Sequence, residues 1–274
     1  MLIDTHAHLF SFDFAQDKWP GSGGWEGVIQ RAKAAGVKKI IVPGTDAASS
    51  AKAIEMAREY PGTIYAAVGI HPEELLNNQA PITNNQTRFN DQILQLIQEN
   101  REQVVAVGEI GIDLYGDAIQ STLLAQKELF RMQSELAIEF DLPVIIHTRN
   151  SFAETWEVLS GLPKMPRGQF HCFSGTEEEL SELLERGYYV SFCGNISWSK
   201  RVRRMTAIVP VDRLLLETDS PFMVPRNIHG EPVSPVNEPS RVRMLAEILA
   251  ETRGISVATL EEQTTANVHT LFDI

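Results

Sequence analysis

The chain has 274 residues, 43% apolar and 22% charged, a balance that supports a sizeable core and excludes wholesale disorder. Lys and Arg number 24 against 36 Asp and Glu, a formal charge of −12, so any nucleic-acid contact needs a local basic patch or metal ions. The two cysteines, Cys172 and Cys193, lie in apolar runs, a reducing-compartment pattern rather than a disulfide framework. No basic and apolar leader follows Met1 and no long apolar run occurs, so we expect a cytoplasmic protein without a membrane span, built as one domain over 1–274.

Short apolar, β-branched runs recur along the chain: Leu2 to Thr5, Lys39 to Pro43, Ile64 to Gly69, Val104 to Glu109, Pro143 to His147, Gln169 to Cys172, Tyr189 to Cys193 and Arg213 to Glu217. Stretches of helical periodicity separate them, at Gly27 to Ala35, Ser50 to Glu59, Phe89 to Asn100, Leu123 to Glu139, Ser151 to Ser160, Glu177 to Arg186 and Lys200 to Ile208. Pro239 to Arg253 and Val257 to Leu271 close the chain as two more helices. Near-continuous apolar strands alternating with helices predict a parallel sheet covered on the outside. Eight such units predict a (β/α)8 TIM barrel. No glycine-rich phosphate loop follows the first strand, which argues against an open doubly wound sheet. Two linker-like stretches, Ser11 to Gly24 and Glu74 to Arg88, fall in the first and third βα loops.

Metal-capable residues fall at the C-terminal strand ends. His6 and His8 close the first strand in Asp4-Thr5-His6-Ala7-His8, Glu109 the fourth, His147 the fifth and His171 the sixth, and Asp219 follows the eighth. Histidines two apart on an extended chain share a face. In a barrel such ends ring one pocket, and four histidines with two carboxylates suit zinc, manganese or iron better than magnesium. The set divides into two divalent centres: His6 and His8 with Asp219, and His147 with His171, with Glu109 bridging. A pair about 3.5 to 4 Å apart acidifies a water and stabilises charge on the attacked group. Asp219 and Glu109 are the catalytic carboxylates of this reading, Asp219 taking the proton from the water.

Other residues carry two readings each. His71, in Gly69-Ile70-His71-Pro72, either reaches a substrate oxyanion or packs its loop. Arg149 either grips a phosphate bidentately or forms a rim salt bridge. Glu217, two before Asp219 on the same face, orients a neighbouring ligand rather than binding metal itself. Thr176 reads as a helix cap rather than as part of an anion site. Lys200, Arg201, Arg203 and Arg204 form the one dense basic cluster. With Trp198 as a stacking platform they would guide a nucleic-acid backbone; otherwise they are a solvated helix face. Asn237, before Glu238-Pro239, reads as a helix cap, and His229 and His269 as surface and packing residues.

The motifs Asp4-Thr5-His6-Ala7-His8, Gly69-Ile70-His71-Pro72, Gly108-Glu109-Ile110-Gly111-Ile112-Asp113, Ile146-His147-Thr148-Arg149, His171-Cys172-Phe173-Ser174-Gly175 and Leu216-Glu217-Thr218-Asp219-Ser220-Pro221 together resemble the TatD family of metal-dependent deoxyribonucleases, among the amidohydrolase-like barrels. Asn237-Glu238-Pro239 and Thr265-Ala266-Asn267 also fit, and the resemblance spans essentially the whole chain. It implies a TIM barrel with His6, His8, Glu109, His147, His171 and Asp219 as metal ligands. It further implies a 3′-5′ exonuclease on single-stranded DNA or RNA ends, activated by magnesium or manganese, with zinc as an ion that such a site also binds. Glu73 stands where family members often have a second histidine, and the first loop, through Asp13, Asp17, Lys18 and Trp19, and the polar third loop are longer than usual. Two other functions fit the same residues: hydrolysis of an ester, amide, lactone or aminoacyl-tRNA bond, or metal binding without catalysis. No obligate protein partner is expected, and a monomer is favoured.

Overall fold

The computed structural model describes residues 1–14, 23–77 and 82–274. Each apolar run of the sequence becomes a strand: β1 (Leu2–Asp4), β2 (Val37–Pro43), β3 (Ile64–Val68), β4 (Val104–Asp113), β5 (Val144–Arg149), β6 (Gly168–Phe170), β7 (Tyr189–Phe192) and β8 (Leu214–Leu216). They lie in one sheet in chain order, every paired register is parallel, and helices fill the connections. That is the (β/α)8 TIM barrel. Among the described residues no helix is long and apolar enough to cross a membrane.

Two compact units divide the chain, one of Met1–Val42, Gly62–Ile64 and His171–Ile274, the other of Pro43–Pro61 and Tyr65–Phe170. The first contains β7, β8, β1 and β2. Val190 pairs with Leu214 and Asp4 with Ile40, and Thr5 N–H donates to the Leu216 carbonyl at 3.0 Å. Helices Gly24–Ala34, Val242–Arg253 and Val257–Phe272 bury Val28 and Ile29, Leu245 and Leu249, and Leu260 and Leu271. Thr176 caps helix Glu177–Glu185 through a reciprocal box with Glu179. Asn237 departs from expectation. Pro239–Arg241 forms a 3-10 turn with no side-chain cap, and the α-helix starts at Val242. The Asn237 amide instead donates to the Thr218 carbonyl at 2.8 Å. Asn237 is fully buried, where a carbonyl left without a donor is costly, and that demand outranks a cap that water can replace.

The second unit contains β3 to β6, with Ala67 opposite Ala106, Asp113 opposite Arg149 and Val144 opposite Gly168. β4 is buried along its whole length and runs four residues past its expected end at Glu109. Gly111 makes this run possible: its φ is +145°, and a Cβ there would overlap the His147 carbonyl. The expected third-loop linker is largely helical, with helix Glu74–Asn77 and then helix Ile82–Glu99. No Gly or Pro interrupts Ile82 to Glu99, and its Asn, Gln and Thr residues are only mildly unfavourable in a helix anchored by buried Ile93 and Ile97. Asp17, Lys18 and Trp19 of the first loop, and 78–81 of the third, lie outside the described residues.

Candidate metal centres

In the first unit the chain bends at Thr5 past β1 and then forms an isolated bridge, Ala7 with Ser220, flanked by His6 and His8. Their Nε2 atoms approach to 3.1 Å, and Asp219 Oδ1 stands 3.7 Å from each. Backbone bonds hold this geometry: Asp219 N–H donates to the His6 carbonyl at 2.9 Å and His8 N–H to the Ser220 carbonyl at 2.7 Å. Asp4 ties the same two segments. Its carboxyl accepts Thr218 N–H at 3.0 Å, Thr218 O–H at 2.6 Å and His6 N–H at 3.2 Å. Burial pushes its pKa up to about 8 despite the bonds from Thr218 and His6.

His171, grouped with His147 in the sequence reading, stacks on His6 with ring centroids 4.0 Å apart and planes 5° from parallel. Its Nδ1 lies 3.6 Å from Glu217 Oε1. Glu217 is fully buried and accepts Cys172 N–H at 2.5 Å and Ser191 O–H at 2.7 Å. Burial alone would raise its pKa, but the His171 hydrogen bond and charge, the His6 charge and the Ser191 hydroxyl outweigh burial and hold it below the ordinary range.

The second unit carries a constellation of its own. Glu109 Oε1 lies 2.8 Å from His147 Nδ1 and 3.5 Å from His71 Nε2. The opposite ring nitrogen of His147, Nε2, lies 3.0 Å from Asp113 Oδ2. Burial raises the Asp113 pKa, but the bonds from His147 and Tyr115 N–H, with the charges of His147 and Arg149, bring it below its ordinary value. Burial is also the largest influence on His71, lowering its pKa against the pull of Glu109, so the neutral imidazole is favoured.

Both donor sets suit a divalent cation. Ligand atoms about 2.1 Å from an ion stand about 3.0 Å apart in octahedral and about 3.4 Å apart in tetrahedral coordination. The 3.1 and 3.7 Å separations around His6, His8 and Asp219, and the 2.8 and 3.5 Å separations around Glu109, lie close to those values. Imidazole nitrogen with carboxylate oxygen is the donor chemistry of zinc, manganese and iron. His6, His171 and Glu217, and separately His71, Glu109 and His147, each bring three ligand atoms within 4.8 Å of one another.

Sequence reasoning passed over Asp113, Asp4 and two buried glutamines on helix Leu123–Glu139. Gln126 accepts Asp113 N–H at 2.9 Å and donates to the Asp113 carbonyl at 3.0 Å. Gln133 does the same for Ile70, beside His71, at 2.8 and 3.2 Å. Both lie seven apart on the helix's apolar stripe, and a polar residue on such a stripe was the available signal. Arg149 forms no rim salt bridge among the described residues; its guanidinium lies over the Tyr115 ring at 3.6 Å. Arg201 donates to the Ser174 carbonyl at 2.6 Å and to the Gly175 carbonyl. Arg203 bonds the Ile196 and Ser197 carbonyls, so two of the four basic-cluster residues hold loops in place. Trp198 is partly exposed, with Arg226 over its ring at 5.6 Å; His229 and His269 lie at the surface.

The chain matches the TatD related DNase family over residues 3–273. It is 36% identical to the uncharacterized metal-dependent hydrolase YabD of Bacillus subtilis over 279 residues, covering all of both chains. It is 32% identical to the 3′-5′ ssDNA/RNA exonuclease TatD of Escherichia fergusonii over 277 residues, covering 100% of this chain and 99% of that one. The crystal structure of YjjV, a TatD homolog from Escherichia coli, superposes with a TM-score of 0.84 at 34% identity, covering 100% of this chain and 98% of that one. Fold, family match and relatives together place the chain among the metal-dependent hydrolases of the TIM-barrel type. Within that class the chain belongs to the TatD-related DNase family.

Proposed function

We propose that the protein is a 3′-5′ exonuclease acting on phosphodiester bonds at single-stranded DNA or RNA ends, with His6, His8, Glu109, His147, His171 and Asp219 holding two divalent ions. The observation that carries the proposal is the pair of histidine–carboxylate constellations in or just past the C-terminal halves of the strands, toward the catalytic face of this fold. The similarity to relatives named as single-strand exonucleases supports the choice of bond. Bound there, divalent ions lower the pKa of a water and neutralise charge building on the phosphate.

Asp219, 3.7 Å from both imidazole nitrogens and with a side chain 13% exposed, accepts the proton of the attacking water. Glu217 orients the His171 ring from its buried position. His71, kept neutral, donates a hydrogen bond to a phosphate oxygen, and Arg149 supplies positive charge at the rim. Trp198, through its exposed ring, and Arg201 contact the strand.

The test is add-back of manganese, magnesium or zinc to metal-free protein with a 5′-labelled single-stranded oligonucleotide, Asp219→Asn run in parallel. A ladder shortening stepwise from the 3′ end, absent in the variant, is the expected result. An intact oligonucleotide under every metal overturns the exonuclease reading and moves the reaction to a small ester, amide or lactone.

A further inference from the structure

β4 and β5 end side by side, with Asp113 opposite Arg149. Past Asp113 the chain turns under two bonds. Leu114 N–H donates to the Arg149 carbonyl at 2.9 Å, and Tyr115 N–H donates to Asp113 Oδ1 at 2.7 Å. This turn sets the Tyr115 ring against the Arg149 guanidinium, 3.6 Å from guanidinium carbon to ring centroid. Tyr115 is nevertheless 61% exposed, whereas Asp113, two residues earlier, is buried.

The turn fixes the Tyr115 backbone while its ring faces solvent and Arg149. With the cation on one face, an exposure of 61% leaves the other face open. A guanidinium stacked on a ring keeps its N–H edge free in its own plane, the geometry in which arginine binds phosphate. No carboxylate forms an ion pair with Arg149 among the described residues. The platform is also coupled to the proposed chemistry. The carboxylate that holds Tyr115 N–H lies 3.0 Å, through its other oxygen, from His147 Nε2.

We propose that Tyr115 and Arg149 form a nucleotide subsite, a base stacking on the open face of Tyr115 while the adjoining phosphate accepts from Arg149. This rests on the reading of the chain as a nucleic-acid hydrolase and adds the residue that would make it prefer a base-bearing strand over a bare phosphodiester. Stacking of this kind tolerates any base, because every base has a π face.

The experiment is equilibrium binding of a 5′-fluorescein oligothymidylate, and of an abasic tract of equal length, to the intact protein in the Asp219→Asn background, which stops turnover. Tyr115→Ala should weaken oligothymidylate binding about tenfold and leave abasic binding unchanged. Tyr115→Phe should stay within about twofold, because it keeps the ring. Arg149→Met should weaken both probes. Circular dichroism melts of each variant exclude misfolding, with Tyr115→Phe and Tyr115→Trp as ring-retaining alternatives should Tyr115→Ala fold poorly. Equal affinity of Tyr115→Ala and its parent for oligothymidylate, or no oligothymidylate binding by the parent, overturns the subsite. If the otherwise native enzyme cleaves no nucleic acid yet binding still depends on Tyr115, the exonuclease reading falls and the subsite stands. Where cleavage occurs, Tyr115→Ala should raise KM with little change in kcat.

Discussion

Replacing Gln126 with Leu tests how the Asp113 segment is held. β4 runs to Asp113 while its neighbour β3 stops at Val68, so the last residues of β4 have no strand partner on that side. The Gln126 carboxamide takes that place, accepting Asp113 N–H at 2.9 Å and donating to the Asp113 carbonyl at 3.0 Å. It also reaches the Ile119 carbonyl and Thr122 Oγ1, but those two already bond each other at 2.7 Å. Leu is close in volume and strips only the Asp113 backbone of its partner. Two buried backbone groups left unsatisfied cost about 1–3 kcal/mol each, and the added apolar burial returns part of this, for a net loss of about 2–4 kcal/mol. At about 2–4 °C per kcal/mol for a chain of this size, the melting temperature should fall by about 4–16 °C. Thermal melts followed by circular dichroism measure this, with Gln95→Leu as control because the Gln95 side chain is exposed and, among the described residues, hydrogen-bonds Glu99 alone. A Gln126→Leu melt indistinguishable from the control would refute the strand-substitute argument.

Three further outcomes follow from the same geometry. Gly111→Ala forces a Cβ onto the His147 carbonyl at φ +145°; the backbone conformation alone should cost about 1–3 kcal/mol, and an unchanged denaturant midpoint would contradict it. Glu217→Gln keeps shape but removes the charge beside His171, so divalent-ion affinity by competitive chelator titration should fall about 10–100-fold; an unaltered titration would show that Glu217 does not orient a ligand. Stripping the protein with a chelator should lower its melting temperature and manganese or zinc should restore it, because a ligand that binds only the folded state adds about 1.4 kcal/mol per tenfold excess over its Kd. Identical melts before and after stripping would argue against resident ions.

The strands were legible because parallel strands buried on both faces must be written as continuous apolar runs. All eight appear within a few residues of the runs that announced them. Boundaries slipped where a special backbone or an uninterrupted helix former decided the length. β4 passes Glu109 because Gly111 admits the close approach to His147, and helix Ile82–Glu99 begins before Phe89 because nothing in the polar stretch stops it.

Histidines and carboxylates clustering at strand ends were equally visible, since the chemistry of a metal centre restricts residue type and the fold restricts position. What the residue types leave open is partnership. Asn237 caps nothing and instead satisfies the Thr218 carbonyl, Arg201 braces a loop, Asp113 joins His147 and His171 stacks on His6. Periodicity records whether a residue is buried along its own element, so one sequence determined the alternating architecture and the residues available for metal chemistry. Hydrogen-bond partners are set by register and loop path between distant elements, so only the tertiary structure decided which carboxylate faces which imidazole and which polar side chains hold them there.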